Sequence, residues 1–68
     1  LNANEFIREY RIKKAAQLMG TTELNVSEIL FEVGFSNRSY FTKCFKKILG
    51  VTPREYIKKL ESETTDFI

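Results

Sequence analysis

The strongest constraint on this chain is a six-residue pattern that occurs four times: an apolar residue, a helix-capping side chain, two residues, a partner for the cap, and another apolar residue. It reads Leu1-Asn2-Ala3-Asn4-Glu5-Phe6, Leu24-Asn25-Val26-Ser27-Glu28-Ile29, Phe35-Ser36-Asn37-Arg38-Ser39-Tyr40 and Val51-Thr52-Pro53-Arg54-Glu55-Tyr56. Each copy opens a helix. The cap oxygen accepts a first-turn backbone N–H that has no partner inside the helix, and the flanking apolar pair fixes the entry of the chain. Three copies are full capping boxes, in which Glu reaches back to the N–H of the cap. The third has Ser36 as cap and Ser39 where Glu would stand, and gives the weakest signal.

Gly20, Gly34 and Gly50 each follow an apolar periodic stretch and can adopt the left-handed conformation that ends a helix. Four helices are therefore predicted, running approximately from Ala3 to Met19, Val26 to Val33, Asn37 to Leu49 and Pro53 to Leu60. Pro53 falls in a first turn, where its missing N–H costs nothing. No strand pattern is present, so the fold class is all-α. Residues from Ser62 to Ile68 are polar and acidic apart from Phe67 and Ile68, and are expected to fray unless those two dock.

Apolar spacing gives one core: Ile12, Ala15, Ala16 and Met19 on the first helix, Ile29, Leu30 and Val33 on the second, Phe41, Phe45 and Ile48 on the third. Phe6, Tyr10, Phe35, Tyr56 and Leu60 are further candidates. Phenylalanines at helical spacing are usually core rather than the wall of a cofactor pocket, and no cofactor is expected. Cys44 reads as a small apolar residue beside that core.

A chain of 68 residues makes one small domain at most, and buries only about 60% of the surface its unfolded form exposes. With one cysteine and no histidine it has no internal disulfide, and no signal-peptide core or long apolar run occurs. A soluble, cytoplasmic protein without membrane contact by this segment is expected. The net charge of +2 is uninformative, but its distribution is not. From Val33 to Arg54 there is no acid, while Arg38, Lys43, Lys46, Lys47 and Arg54 all fall there; the rest of the chain has six basic and nine acidic groups. Such asymmetry marks a face for an anionic partner, although a solvated helix face has the same look.

The segment Leu1-Asn2-Ala3-Asn4-Glu5-Phe6-Ile7 is echoed by Val51-Thr52-Pro53-Arg54-Glu55-Tyr56-Ile57, 50 residues on. The second copy follows a helix pair. By parity the first copy should follow another, lying before Leu1, which makes this chain the downstream part of a twofold domain.

Two short helices joined by a glycine-containing turn, Val33-Gly34-Phe35-Ser36, fit the helix-turn-helix motif, whose second helix enters the major groove of DNA. That helix splits cleanly between an inward set, Phe41, Phe45 and Ile48, and an outward stripe of Arg38, Ser39, Thr42, Lys43 and Lys46. Arg38 can pair bidentately with guanine O6 and N7, and Ser39, Thr42 and Lys43 add donors and acceptors, so these four are the candidate base readers. Lys46, Lys47 and Arg54 are the candidate phosphate contacts, with Ser36 and Asn37 able to hydrogen-bond the DNA backbone at the helix start. On the first helix Arg8, Arg11, Lys13 and Lys14 are interspersed with Glu5 and Glu9, the pattern of a solvated face with i, i+4 pairs.

The run Asn25-Val26-Ser27-Glu28-Ile29, Glu32-Val33-Gly34-Phe35-Ser36, Ser39-Tyr40-Phe41, Phe45-Lys46-Lys47 and Gly50-Val51-Thr52-Pro53-Arg54-Glu55-Tyr56 resembles the signature of the AraC/XylS family of transcription regulators. Arg11-Ile12 followed by Ala15, Leu18 and Met19 resembles the family's linker helix, so the likeness extends from Leu1 to about Lys58. It implies a homeodomain-like, four-helix helix-turn-helix fragment: linker helix and connection over 1–24, second helix-turn-helix with its closing helix over 25–61, and a tail over 62–68. The likeness further implies that Arg38, Ser39, Thr42 and Lys43 occupy base-contacting positions. The implied partners are double-stranded DNA, a first helix-turn-helix and an upstream sensor or receiver domain; some members end large hybrid two-component regulators. Without the first unit, binding should be weak and relaxed in specificity. Leu30 departs from the family, which commonly has a small residue there; Ala15 and Ala16 opposite could make room.

Helix-turn-helix spacing also describes a helical protein-interaction module, in which Leu1, Phe6 and Tyr10 would form an adhesive surface. An enzyme is disfavoured, since the acid, base and nucleophile sets of common active sites are missing from the sequence. Glu28 and Glu32, four apart on one helix, lack a third ligand and are not read as a metal site.

Overall fold

The computed structural model describes the backbone of residues 3–66 and the side chains of residues 3–62. Four helices follow one another, α1 (Ala3–Thr21), α2 (Val26–Glu32), α3 (Arg38–Leu49) and α4 (Pro53–Asp66), with no strand among the described residues. None of these helices is long and apolar enough to cross a membrane.

Local chemistry sets the starts. At α2 the Glu28 N–H donates to Asn25 Oδ1 at 2.9 Å and the Asn25 N–H donates to Glu28 Oε1 at 3.0 Å. At α4 the Glu55 N–H donates to Thr52 Oγ1 at 3.1 Å and the Thr52 N–H to Glu55 Oε1 at 2.8 Å. Both boxes satisfy two otherwise orphaned donors. The box expected at Asn2 begins outside the described residues. At α3 the cap is Asn37 rather than Ser36: Asn37 Oδ1 accepts the Tyr40 N–H at 2.9 Å, so the helix begins one residue later than predicted.

The ends of α2 and α3 use glycines at positive φ, Gly34 at 95° and Gly50 at 82°. After α2 the Gly34 N–H donates to Phe31 O at 3.1 Å and the Phe35 N–H to Leu30 O at 2.8 Å, the paired bonds of a Schellman turn. Gly20 does not end α1. The helix passes through it to Thr21, and the threonine hydroxyls close the last turn instead, Thr21 Oγ1 donating to Gln17 O at 2.9 Å and Thr22 Oγ1 to Leu18 O at 2.7 Å. α4 likewise runs past Leu60 to Asp66, through the segment expected to fray, because no glycine or proline interrupts it; Phe67 and Ile68 lie outside the described residues.

α1 packs against all three other helices and forms the spine of the unit. Ile12, Ala15, Ala16, Ile29, Leu30, Val33, Phe35, Phe41, Cys44 and Phe45 make one buried cluster, flanked by the half-buried Met19, Ile48 and Tyr56. Phe41, Phe45, Ile12 and Ile29 are fully excluded from solvent, each contributing roughly 1.5–3 kcal/mol by burial. Leu30 is accommodated in the same cluster as the small Ala15 and Ala16. Phe6 and Tyr10 do not join it: they are 67% and 63% exposed, on a stripe of α1 turned away from Ile12 and Ala15.

Candidate nucleic-acid interface

α3 is held at its inner face by a chain of aromatic rings that runs from the turn into α4. Phe35 meets Phe41 edge-on with centroids 5.2 Å apart, Phe41 meets Phe45 at 5.8 Å, and Phe45 meets Tyr56 edge-on at 5.7 Å. Edge-to-face pairs of this kind add to burial and restrict ring orientation. With Phe41, Cys44 and Phe45 locked inward, the opposite side of the helix is obliged to face solvent.

Arg38, Ser39, Lys43 and Lys46 are exposed on that outer side and Thr42 is half-buried at its margin, so the structure gathers the four candidate base readers and Lys46 on one face. Ser36 and Asn37 are exposed at the start of α3. The Asn37 side-chain oxygen is engaged in the cap, which leaves its amide nitrogen as the group able to donate to a ligand. Lys47 is exposed but turned to the flank, where it borders a groove with Lys43, Tyr40 and with Glu5, Arg8 and Glu9 of α1. Arg54 is exposed in the first turn of α4, apart from the α3 stripe. Lys46 lies close enough to that turn for its charge to act on Glu55, whose carboxyl is held below its ordinary value mainly by the Thr52 N–H, then by the Thr52 hydroxyl, and lastly by Lys46.

Two basic residues on α1 have a role that spacing alone did not reveal. The expected i, i+4 pair exists, Lys13 Nζ lying 2.9 Å from Glu9 Oε1. Arg8 and Arg11, however, are not part of a plain solvated face. Arg8 is half-buried with its guanidinium over the Tyr40 ring, 5.8 Å from the centroid. The Arg11 guanidinium lies against the turn, its Cζ only 3.2 Å from where a Cβ on Gly34 would be. Between them is a groove of about 340 Å3, bounded by Asn4, Ile7, Arg8 and Arg11 on one side and by Gly34 to Asn37 and Tyr40 on the other. Spacing does not mark the pair: Arg8 shares the buried face of α1 with Ile12 and Ala15, whereas Arg11 is exposed and meets the turn only through the way α1 crosses it.

A family model described as a helix-turn-helix domain matches residues 1–59. The chain is 51% identical over 53 residues to "Histidine kinase P4" of Formosa agariphila, covering 78% of the chain and 4% of that protein. It is 39% identical over 57 residues to the "Uncharacterized HTH-type transcriptional regulator YdeC" of Bacillus subtilis, covering 84% of the chain and 19% of the regulator. Over 60 residues it is 33% identical to the "Transcriptional activator AggR" of Escherichia coli, covering 88% of the chain and 23% of that protein. The chain thus spans less than a quarter of each of these curated relatives. No solved structure matches it. By its family model and these regulators, the chain belongs to the AraC-type helix-turn-helix family.

Proposed function

We propose that the chain is a DNA-reading unit of a transcription regulator, with α3 seated in the major groove of double-stranded DNA. The observation that carries this is the outer face of α3, where Arg38, Ser39, Thr42, Lys43 and Lys46 lie together on a helix whose other face is locked into the core. The whole stretch from Val33 to Arg54 contains no acid. In the first turn Arg38 pairs with guanine O6 and N7, while Ser39, Thr42 and Lys43 read adjacent base edges. Lys46, Lys47 and Arg54 neutralise phosphates, and Ser36 and the Asn37 amide donate to backbone oxygens. The likeness to a transcriptional regulator of Bacillus subtilis and a transcriptional activator of Escherichia coli supports this reading.

In the longer protein, residues 1–24 serve as linker helix and connection, and residues 25–61 as one of two helix-turn-helix units. An upstream unit and a sensor or receiver domain complete a cytoplasmic regulator. The exposed stripe of Phe6, Ile7 and Tyr10, 67%, 44% and 63% accessible, favours such an upstream neighbour. It equally favours a second reading, a helical module for protein interaction.

The two readings separate in duplex-binding experiments. Arg38→Ala is expected to lose about 1–3 kcal/mol on a preferred site and to relax one base position, and Lys46→Ala to weaken all duplexes alike. Equal effects of both variants on every duplex would remove base reading by Arg38, and no binding by the intact chain would favour the interaction module.

A further inference from the structure

We infer that Arg8 and Arg11 of α1 form a second phosphate anchor, holding a DNA backbone phosphate in the groove between α1 and the turn that precedes α3. The inference rests on the DNA-binding reading and extends it from α3 to α1. Two grooves flank the α1–α3 seam, and they differ in charge. The one along Lys43 and Lys47 is of mixed charge, lined by Glu5 and Glu9 as well as by Arg8. None of the residues lining the other is acidic, and two guanidinium groups border it.

Arg8 is half-buried, and Arg11, although exposed, has its guanidinium beside the turn. Arg8 is steadied over the Tyr40 ring and Arg11 against the bare backbone of Gly34. Neither contact consumes the N–H donors of the fork, so both can turn toward a phosphate oxygen. Ser36 and the Asn37 amide, already assigned to phosphate, lie on the opposite wall. A phosphate between the walls would be met from both sides, fixing the angle at which α3 enters the groove. Base reading is unaffected in kind, because a backbone phosphate carries no sequence information.

The test is fluorescence anisotropy of the 68-residue chain on mixed-sequence duplex over a salt series, with Arg8→Gln, Arg11→Gln, the matching Lys variants, and Lys46→Gln as a control on α3. Each Gln variant is expected to weaken binding about three- to tenfold at low salt on every sequence, and to make the logarithmic salt slope shallower by about one. The Lys variants should recover the slope, which a purely structural role would not produce. If Lys46→Gln weakens binding while the α1 variants leave the slope unchanged, the anchor is wrong and the DNA-binding reading stands. Loss of affinity without recovery by lysine, at unchanged slope, also overturns it and leaves the arginines a packing role. If the intact chain binds no duplex at low salt, the underlying reading fails first.

Discussion

Phe35 stands edge-on to Phe41, with ring centroids 5.2 Å apart and planes at 71°. The contact joins the turn to the inner face of α3, and the backbone N–H of the same Phe35 closes the end of α2 on Leu30 O. One residue thereby fixes both helices of the pair. Phe35→Ala should cost about 3–5 kcal/mol, against a total of roughly 3–10 kcal/mol for a chain of this size. Circular dichroism under urea should show a largely unfolded variant, and a loss below about 1 kcal/mol would contradict the assigned role.

The three glycines should respond differently to alanine. Gly20 is helical, and a Cβ there would meet Leu60 Cδ1 at an ordinary 4.0 Å. Gly20→Ala is expected to stabilise by about 0.5–1 kcal/mol. Gly50→Ala carries the conformational cost of its positive φ alone, since nothing lies within 4 Å of the new Cβ. Gly34→Ala carries that cost and also displaces Arg11, which lies 3.2 Å from the new Cβ. Urea midpoints should rank Gly20→Ala above the parent chain, and Gly34→Ala below Gly50→Ala. Equal losses at Gly34 and Gly50 would mean that the exposed Arg11 side chain gives way to the new Cβ at little cost.

Glu55 ties stability to acid pH. Its carboxyl is held below its ordinary value of 4.5, first by the Thr52 N–H and then by the Thr52 hydroxyl. A depressed folded-state pKa means that the contribution is complete above the unfolded value and declines as pH falls through the folded one. Melting temperatures measured from neutral pH down to about pH 3 should therefore fall less steeply for Glu55→Gln than for the parent. Parallel curves would show that the box at Thr52 is not formed in solution.

Asn37 serves the fold and the proposed interface at once, which one pair of variants can separate. Asn37→Ala removes the cap and should cost about 0.5–2 kcal/mol of stability. Asn37→Asp keeps a cap of equal rank, yet puts a carboxylate into the acid-free face. Its stability should match the parent while its affinity for mixed-sequence duplex falls. A stable Asn37→Asp variant that binds as tightly as the parent would show that this end of α3 stays away from phosphate.

Much of the fold was legible because it is written in local chemistry. Both capping boxes within the described residues were readable as Asn25 with Glu28 and Thr52 with Glu55. The start of α3 was misplaced by one residue because Ser36 and Asn37 are adjacent and equally able to cap; the turn keeps residues 35–37 out of helix, so the cap falls on the second. Gly20 looked like a stop since its chain neighbours permit one, but a helix that ends on threonine hydroxyls needs no left-handed residue. Phe6 and Tyr10 have helical spacing with each other, yet lie roughly half a turn away from Ile12 and Ala15, and apolarity alone does not say which stripe is covered. On the candidate face, the outer set of α3 followed directly from the inward phenylalanines. The Arg8 and Arg11 contacts did not, because they depend on how α1 crosses the turn, a tertiary relation that no local pattern encodes.

The most direct test of the central claim is a residue-resolved NMR titration of the 68-residue chain with mixed-sequence duplex DNA, first at low and then at moderate salt. The account predicts amide shifts concentrated from Ser36 to Lys47, accompanied by the Nε–H signals of Arg8 and Arg11, and fading as salt is raised. No shift at low salt, or shifts centred on α4 beyond Ile57, would contradict DNA contact by α3.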